Sequence, residues 1–386
     1  MASPELLTLF GGVTTVAGVT LGEAGTMRQP TAGSCIRLIT NAVSTTPCHL
    51  FEKGNDGARA RAESHPAERL VSGFANPWTS AGDFKRDMLF RAICEGRSYA
   101  LASKVRGNVK ELIPLPYSAV RRDVDEASGE PSYTLTLKGG GTRRYGYQDI
   151  LEVAPWGGRS LMRDASEAVG RATIMDTHAT RLFKQGKPSG VLRVPGKLTE
   201  LAAQRISAAW NSSFGGENSG KTAVLEENAS WESIALKSVD SQYLETLKLT
   251  LEDICRCFSV PPTLVGDLEH SVWKAPEQLA QQFLSFCMLP IFQHIEGAYA
   301  RCLLTESERN AAFYFEFNLD NFARADLAGR FAAYTQAITS RILSPNEARA
   351  RENLAPYDGG DVYENPAVSP GQAGATTEGG DDAAQI

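Results

Sequence analysis

DSQYLETLKLTLEDICRCFSVPPTLVGDLEHSVWKAPE, residues 240–277, decides how the rest of the chain is read. Leu244, Leu247, Leu251, Ile254 and Phe258 recur at three- and four-residue spacing, which predicts an amphipathic helix. Asp240 or Ser241 is placed to cap its start. Pro261-Pro262 is expected to end it, because proline lacks a donor and pushes the preceding residue out of the α region. Gly266 follows, then a polar loop, Asp267–Ala275, with Trp273 and Lys274 near its end. Pro276 and Glu277 read as the first turn of a second helix running toward Leu303, with a kink expected at Pro290. The stretch holds no nucleophile and no metal cluster, so it reads as a mechanical part.

The totals fit a soluble globular chain. Its 386 residues allow two or three packed units. An apolar fraction of 42% with 22% charged residues is enough for a sizeable core. The net charge of −6 sits in one place: residues 358–386 hold six acids and no base, which leaves 39 acids against 39 bases elsewhere. A neutral body excludes tight, nonspecific nucleic-acid binding through a broad basic face. Seven scattered cysteines without a CxxC pair read as reduced thiols. Cys255 and Cys257, two apart on a helix, point to different faces. The five histidines have no ligand spacing, so neither a metal nor a cofactor is expected. No run of apolar residues is long enough for a membrane span, and Met1–Gly25 makes a poor signal peptide.

Outward from the opening stretch, Thr31–Thr45 and Ser80–Glu95 are predicted helices, and His65-Pro66 and Asn76-Pro77 bracket a short one. Cys48–Glu52 reads as a strand, followed by a polar turn, Lys53–Glu63. From Ser98 to Pro155 the period shifts toward two, with strands at 99–105, 111–114, 120–124, 132–137, 142–145 and 150–153. This first third reads as α+β with one antiparallel sheet. Asp164–Gly186 is a predicted helix with Asp164 and Glu167 in capping-box spacing. A small β-α-β unit follows: strand Gly190–Val194, helix Thr199–Trp210, and strands Thr222–Glu226 and Trp231–Leu236. It lies between two helices and reads as an insertion at the tip of a helical pair. Ala312–Leu319 alternates as a strand, Leu327–Ile342 is helical, and Ser344, Pro345 and Glu347 start another helix. Asp320 and Asp326 read as helix caps. Disorder is expected from Asp358 on.

Gly215–Thr222 spells a Walker A motif. A P-loop leaves a strand and enters a helix so that the helix N-terminus faces the phosphates. Here the predicted order is helix, loop, strand, so the match is refused. There is no G-x-S-x-G elbow either.

Several segments then occur in one order: His65-Pro66-Ala67-Glu68-Arg69-Leu70 with Asn76-Pro77; Gly186–Leu192; Gly215–Leu225; Phe258-Ser259-Val260-Pro261-Pro262-Thr263-Leu264-Val265-Gly266; and Leu343–Arg349 with Asn353-Leu354-Ala355-Pro356 and Gly359-Gly360-Asp361. Together, over residues 30–365, they resemble the portal proteins of tailed bacteriophages, in the lambda-like siphovirus and prophage class. The chain departs at Gly96-Arg97-Ser98-Tyr99, where the family often has Gly-Asn-Ala-Tyr. Arg324 and Asp326 stand where the family has a similar Arg-x-Asp.

The resemblance implies an α+β, multidomain portal-type subunit. Its parts would be a flexible N-terminal arm (1–29), an α+β wing (30–163), a first stem helix (164–187), a small α/β clip (188–239) and a second stem helix (240–260). A tunnel loop, long kinked helix and returning wing strand (261–320), a helical crown (321–357) and a disordered acidic tail (358–386) would follow. It further implies a self-assembled ring, usually a dodecamer, at the capsid portal vertex of a virion assembled in the bacterial host cytoplasm. The ring would be a passive conduit for double-stranded DNA, a structural part and not an enzyme. Terminase large subunit, head–tail adaptor and major capsid protein are the implied partners, with no membrane. His270, Ser271, Val272, Trp273 and Lys274 would face DNA, and Arg181, Lys184, Lys187, Arg193 and Lys197 are candidate channel or clip contacts. The alternatives are a P-loop NTPase of a packaging motor, resting on Gly215–Thr222, or another virion structural protein such as an adaptor.

Overall fold

The computed structural model describes residues 12–16, 18–54, 59–185, 190–193, 199–214, 230–233, 239–266, 276–311, 313–319, 327–352 and 354–363. It divides into two units, Met1–Val272 with Ser285–Phe317, and Trp273–Leu284 with Asn318–Ile386.

The first unit opens with a hairpin, β1 (Val13–Thr14) and β2 (Thr20–Leu21), and helix α1 (Glu23–Arg28). The expectation of a flexible arm over 1–29 is therefore corrected from residue 12 onward. Thr15 and Leu21 are buried, and the Val16 N–H donates to Glu167 Oε1 at 3.0 Å. These contacts come from a helix some 150 positions away, so no local pattern signals them. Helix α2 (Pro30–Thr45) buries Cys35, Ile36, Ile39 and Val43, and the Gln29 side chain caps it. The chain continues through β3 (Cys48–Lys53), β4 (Arg59–Arg61), α3 (Pro66–Ser72), β5 (Phe74–Asn76), β6 (Thr79–Ser80) and α4 (Ala81–Glu95). Ser80 caps α4, and Gly96, in the left-handed region at φ 87°, closes it.

Strand β4 lies inside the expected polar turn. All three of its residues are exposed, so it carries no apolar alternation. Ion pairs hold it instead, Arg59 to Glu316 at 2.8 Å and Arg61 to Glu68 at 2.7 Å. Strands β7 (Ser98–Val105), β8 (Asn108–Leu115), β9 (Val120–Val124), β10 (Pro131–Thr136), β11 (Thr142–Gly146) and β12 (Ile150–Val153) follow. The single expected sheet is in fact divided: one sheet runs β12-β7-β8 and another β11-β10-β9. Tyr99, Leu115, Tyr133, Leu135 and Ile150 form one core between them. Periodicity reports that residues are extended, not which strands pair.

The expected helix Asp164–Gly186 resolves into α5 (Leu161–Asp164) and α6 (Ser166–Gln185). Asp164 is not a cap. Ser160 caps α5 by accepting from the Arg163 N–H, and Asp164 pairs with Arg159 at 3.0 Å. Then come β13 (Gly190–Arg193), α7 (Glu200–Phe214) and β14 (Ser230–Ser233), with β13 and β14 antiparallel. The expected strand Thr222–Glu226 lies outside the described residues. Helix α8 (Val239–Cys257) starts ahead of Asp240, which places Asp240 and Ser241 inside its first turn and not at its cap.

Helix α9 (Pro276–Phe283) belongs to the second unit. Five π-helical residues, Leu284–Met288, precede α10 (Leu289–Leu303). The expected kink at Pro290 is thus shifted: Pro290 sits in the first turn of α10, and the irregularity lies before it. Proline has no N–H for the carbonyl four residues back, and a widened turn relieves that clash. Helix α11 (Glu306–Asn310), which periodicity missed, carries a capping box of Thr305 and Glu308. Strand β15 (Phe313–Phe317) returns to pair with β3 in the sheet β15-β3-β4, Phe315 opposite Leu50. Phe292 and Tyr299 of α10 pack their rings on Phe317 and Phe315 at 4.5 and 5.6 Å.

In the second unit, α12 (Leu327–Thr339) ends three residues short of the expected Leu327–Ile342, ahead of Arg341 at φ 59°, while α13 (Pro345–Arg351) starts as expected, with Ser344 and Glu347 forming the capping box. Asp320, Arg324 and Asp326 lie outside the described residues. The expectation of disorder from Asp358 is corrected for residues 358–363. Asn346 Nδ2 donates to Tyr357 O and Asp361 Oδ1, both at 3.0 Å, and the Asn346 N–H donates to Gly360 O at 2.8 Å.

Candidate functional site

Helices α6 and α8 form an antiparallel pair. Arg171 meets Asp253 at 2.9 Å, while further along the Tyr243 hydroxyl donates to Met175 O at 2.7 Å. Gln185 and Val239 therefore lie at the same end of the pair, and residues 186–238 run between them in the sequence. Among the described side chains, burial is concentrated at the other end. Val169, Ala172, Thr250, Ile254 and Cys255 are buried there. Leu247 and Leu251 of the predicted stripe are only half-buried, and Ile174 and Leu249 stand exposed.

The end of α8 differs from the expectation. The Ser259 N–H donates to Arg256 O and the Val260 N–H to Cys255 O, at 3.1 and 3.0 Å. With Ser259 at φ 54°, this is a Schellman closure made without glycine. The helix has stopped before Pro261-Pro262, which only forbid its resumption. A 3-10 turn, Pro262–Val265, ends at Gly266 with φ 107°.

Beneath this turn lie three buried thiols. Cys35 of α2 and Cys255 of α8 share a hydrogen bond, which together with burial pushes the Cys35 thiol far above its usual range. Cys287 donates to Phe258 O at 3.7 Å, and burial pushes its thiol up to about 12. Protonated, buried thiols are poor nucleophiles and poor ligands. Among the described residues, no group of three His, Cys, Asp or Glu gathers as a metal site, and no helix is long and apolar enough to cross a membrane.

Two arginines of the pair are neutralised locally. Arg256 binds Glu252 and Asp253 at 2.6 and 2.7 Å, and Arg171 shares Asp253. Helix α8 has Asp240, Glu245, Glu252 and Asp253 against Lys248 and Arg256. Its sequence carries four acids against two bases. Of the expected site residues, Arg181 and Lys184 lie in the last turn of α6, and Arg193 ends β13 opposite Ser230; only their backbone is described. Lys187, Lys197, His270, Ser271, Val272, Trp273 and Lys274 lie outside the described residues. The Gly215–Thr222 turn also lies outside. The chain enters it from helix α7, whereas a P-loop is entered from a strand.

Two buried polar hubs in the first unit escaped sequence reasoning. Glu152 of β12 accepts from the Tyr133 hydroxyl at 2.7 Å and pairs with Arg97 and Arg122. Burial alone would raise its pKa, but the Tyr133 and Arg97 hydrogen bonds and the Arg122 charge hold it low. Arg97 also donates to Gly157 O at 3.1 Å, which is what the departure Gly96-Arg97-Ser98-Tyr99 accomplishes. Glu68 of α3 accepts from the Leu50 N–H at 2.6 Å and from Arg61 Nε at 2.9 Å, and meets His49 Nδ1 at 2.9 Å. The partners sit 7 to 55 residues apart, and no spacing rule links them.

Residues 30–353 match the family model described as phage portal protein. The chain is 27% identical over 352 residues to the portal protein of Enterobacteria phage HK97, covering 86% of this chain and 80% of that protein. It is 31% identical over 229 residues to the probable portal protein of Streptomyces phage phiC31, covering 57% of this chain and 49% of that protein. Among solved structures it resembles a chain in the neck of an empty GTA particle, with TM-score 0.59 and 19% identity, covering 92% of this chain and 99% of the other. An HK97-family phage portal protein from Corynebacterium diphtheriae matches at TM-score 0.51 and 16% identity, covering 81% of this chain and 99% of the other. These structural likenesses show a shared fold.

Proposed function

Because the chain belongs to the phage portal protein family, matched over residues 30–353, we propose that it works as a ring-shaped conduit for double-stranded DNA at one vertex of a capsid. Its role is structural. In this reading α6 and α8 are the stem helices, residues 188–239 the clip that docks terminase and later the head–tail adaptor, and residues 30–163 the wing. Residues 267–275 face the channel, and α12 and α13 belong to the crown.

The observation that carries the reading is the antiparallel pair in which Arg171 and Arg256 are tied to carboxylates of the pair itself. Each phosphate neutralised by a free Lys or Arg adds salt-dependent affinity, so a basic channel wall would stall sliding DNA. A wall of internally paired charge contains DNA without gripping it. One Lys274 per subunit would then form a sparse girdle that touches phosphates without reading bases. Negative-stain images of the purified protein test the proposal. Rings with a central channel are the expected result, and particles without one would overturn it.

A further inference from the structure

The first unit contains an open groove of about 700 Å³ between α1, α4, the start of β7 and the end of β8. Its charge is incompletely matched. Arg91 is committed to Asp87 at 2.9 Å and Arg97 to Glu152. Glu23 and Glu95 line the groove with no ion pair among the described residues, against one exposed Arg163. Ser98 lines it too. Its residue is 1% exposed, yet its Oγ has no hydrogen-bond partner. The two carboxylates leave the groove short of a cation, and the Ser98 hydroxyl leaves it short of a hydrogen-bond partner.

A matching group stands at the other end of the same hairpin. Strands β7 and β8 pair from Tyr99 opposite Leu115, beside the groove, to Val105 opposite Asn108. At about 3.3 Å per residue, the tip lies roughly 25 Å from Ser98. Its turn, Arg106-Gly107, has both residues at positive φ, 53° and 87°, which is the type I′ geometry of a tight hairpin. Arg106 and Lys110 are exposed and make no ion pair among the described residues. The separation prevents this tip from reaching its own groove.

We propose that the β7–β8 tip of one subunit docks in the groove of the next, with Arg106 reaching Glu95, Glu23 and the Ser98 hydroxyl. A donor and an acceptor at opposite ends of one rigid hairpin make a head-to-tail contact, and such contacts close into rings when the rotation permits. The proposal rests on the ring reading above and names the residues that join wing to wing.

The test uses assembled rings. Arg106→Glu and Glu95→Lys should each speed ring dissociation at 0.15 M salt by about ten-fold, and the double variant should recover most of that loss. Carbodiimide treatment of Arg106→Lys rings should join position 106 to Glu95 or Glu23 of a different subunit, read by peptide mass spectrometry. Rings that form normally but show neither coupling nor this cross-link overturn the docking while the ring reading stands. A cross-link from another partner to Glu95 overturns Arg106 as the occupant. Unsubstituted protein that forms no rings overturns both.

Discussion

Glu68 offers the sharpest quantitative test of how the first unit is held. Glu68 is 4% exposed, and the groups around its carboxylate are the Leu50 N–H, the Arg61 guanidinium and His49 Nδ1. Burial alone would raise its pKa, but the His49 and Leu50 hydrogen bonds and Arg61 lower it from 4.5 to about 2. A carboxylate depressed on folding stabilises the native state fully above its unfolded pKa. That stability fades as pH falls from 4.5 through 2. At about 1.4 kcal/mol per pKa unit, and allowing for the partly exposed Arg61, the contribution at pH 7 is about 2–3 kcal/mol. Glu68→Gln keeps the shape but turns one acceptor into an NH2 facing a donor, which puts the loss at about 3 kcal/mol. Urea unfolding at matched protein concentration should show that gap at pH 7, and the gap should close toward pH 2. A difference below 0.5 kcal/mol at pH 7, or one that is constant down to pH 2, would refute this account of the hub.

Other expectations follow from single residues. Gly96→Ala puts a Cβ against the Gly158 carbonyl at a left-handed position, so melting temperature should fall with a cost of about 2–4 kcal/mol; an unchanged Tm would mean the turn relaxes freely. Ser259→Gly removes the left-handed penalty at the end of α8 and should stabilise by about 0.5–1 kcal/mol in the same assay. Gly360→Ala would drive a Cβ into the Asn346 amide, so amide exchange at Tyr357 and Gly360 should accelerate at least ten-fold, while normal protection there would show the turn does not depend on that contact. Lys274→Ala should leave ring assembly intact and alter DNA packaging or retention; collapsed assembly would make residues 267–275 structural.

Much of the element map was legible in the chain. Helices α2, α4, α12 and α13 and strands β3, β7, β9, β12 and β15 were readable because their apolar period, their caps and their proline or glycine stops are local, and α8 was readable from its apolar period alone. Ser80, Gly96, Ser344 and Pro345 act on the neighbours that the sequence puts beside them. The candidate site was less legible. The residues expected to face DNA fall outside the described segments, while the features that organise the described part are pairings between distant positions.

The opening segment, residues 240–277, shows the division. Its own residues determined an amphipathic helix, a stop and a second helix. Only tertiary structure decided that the helix closes at Ser259 through backbone hydrogen bonds, that its partner is α6 in antiparallel register, and that Arg171 and Arg256 spend their charge on Asp253 and Glu252. Hydrophobic period and capping are properties of contiguous residues. Partner choice and charge neutralisation depend on which surfaces the fold brings within a few ångströms, and contiguous sequence does not encode that distance.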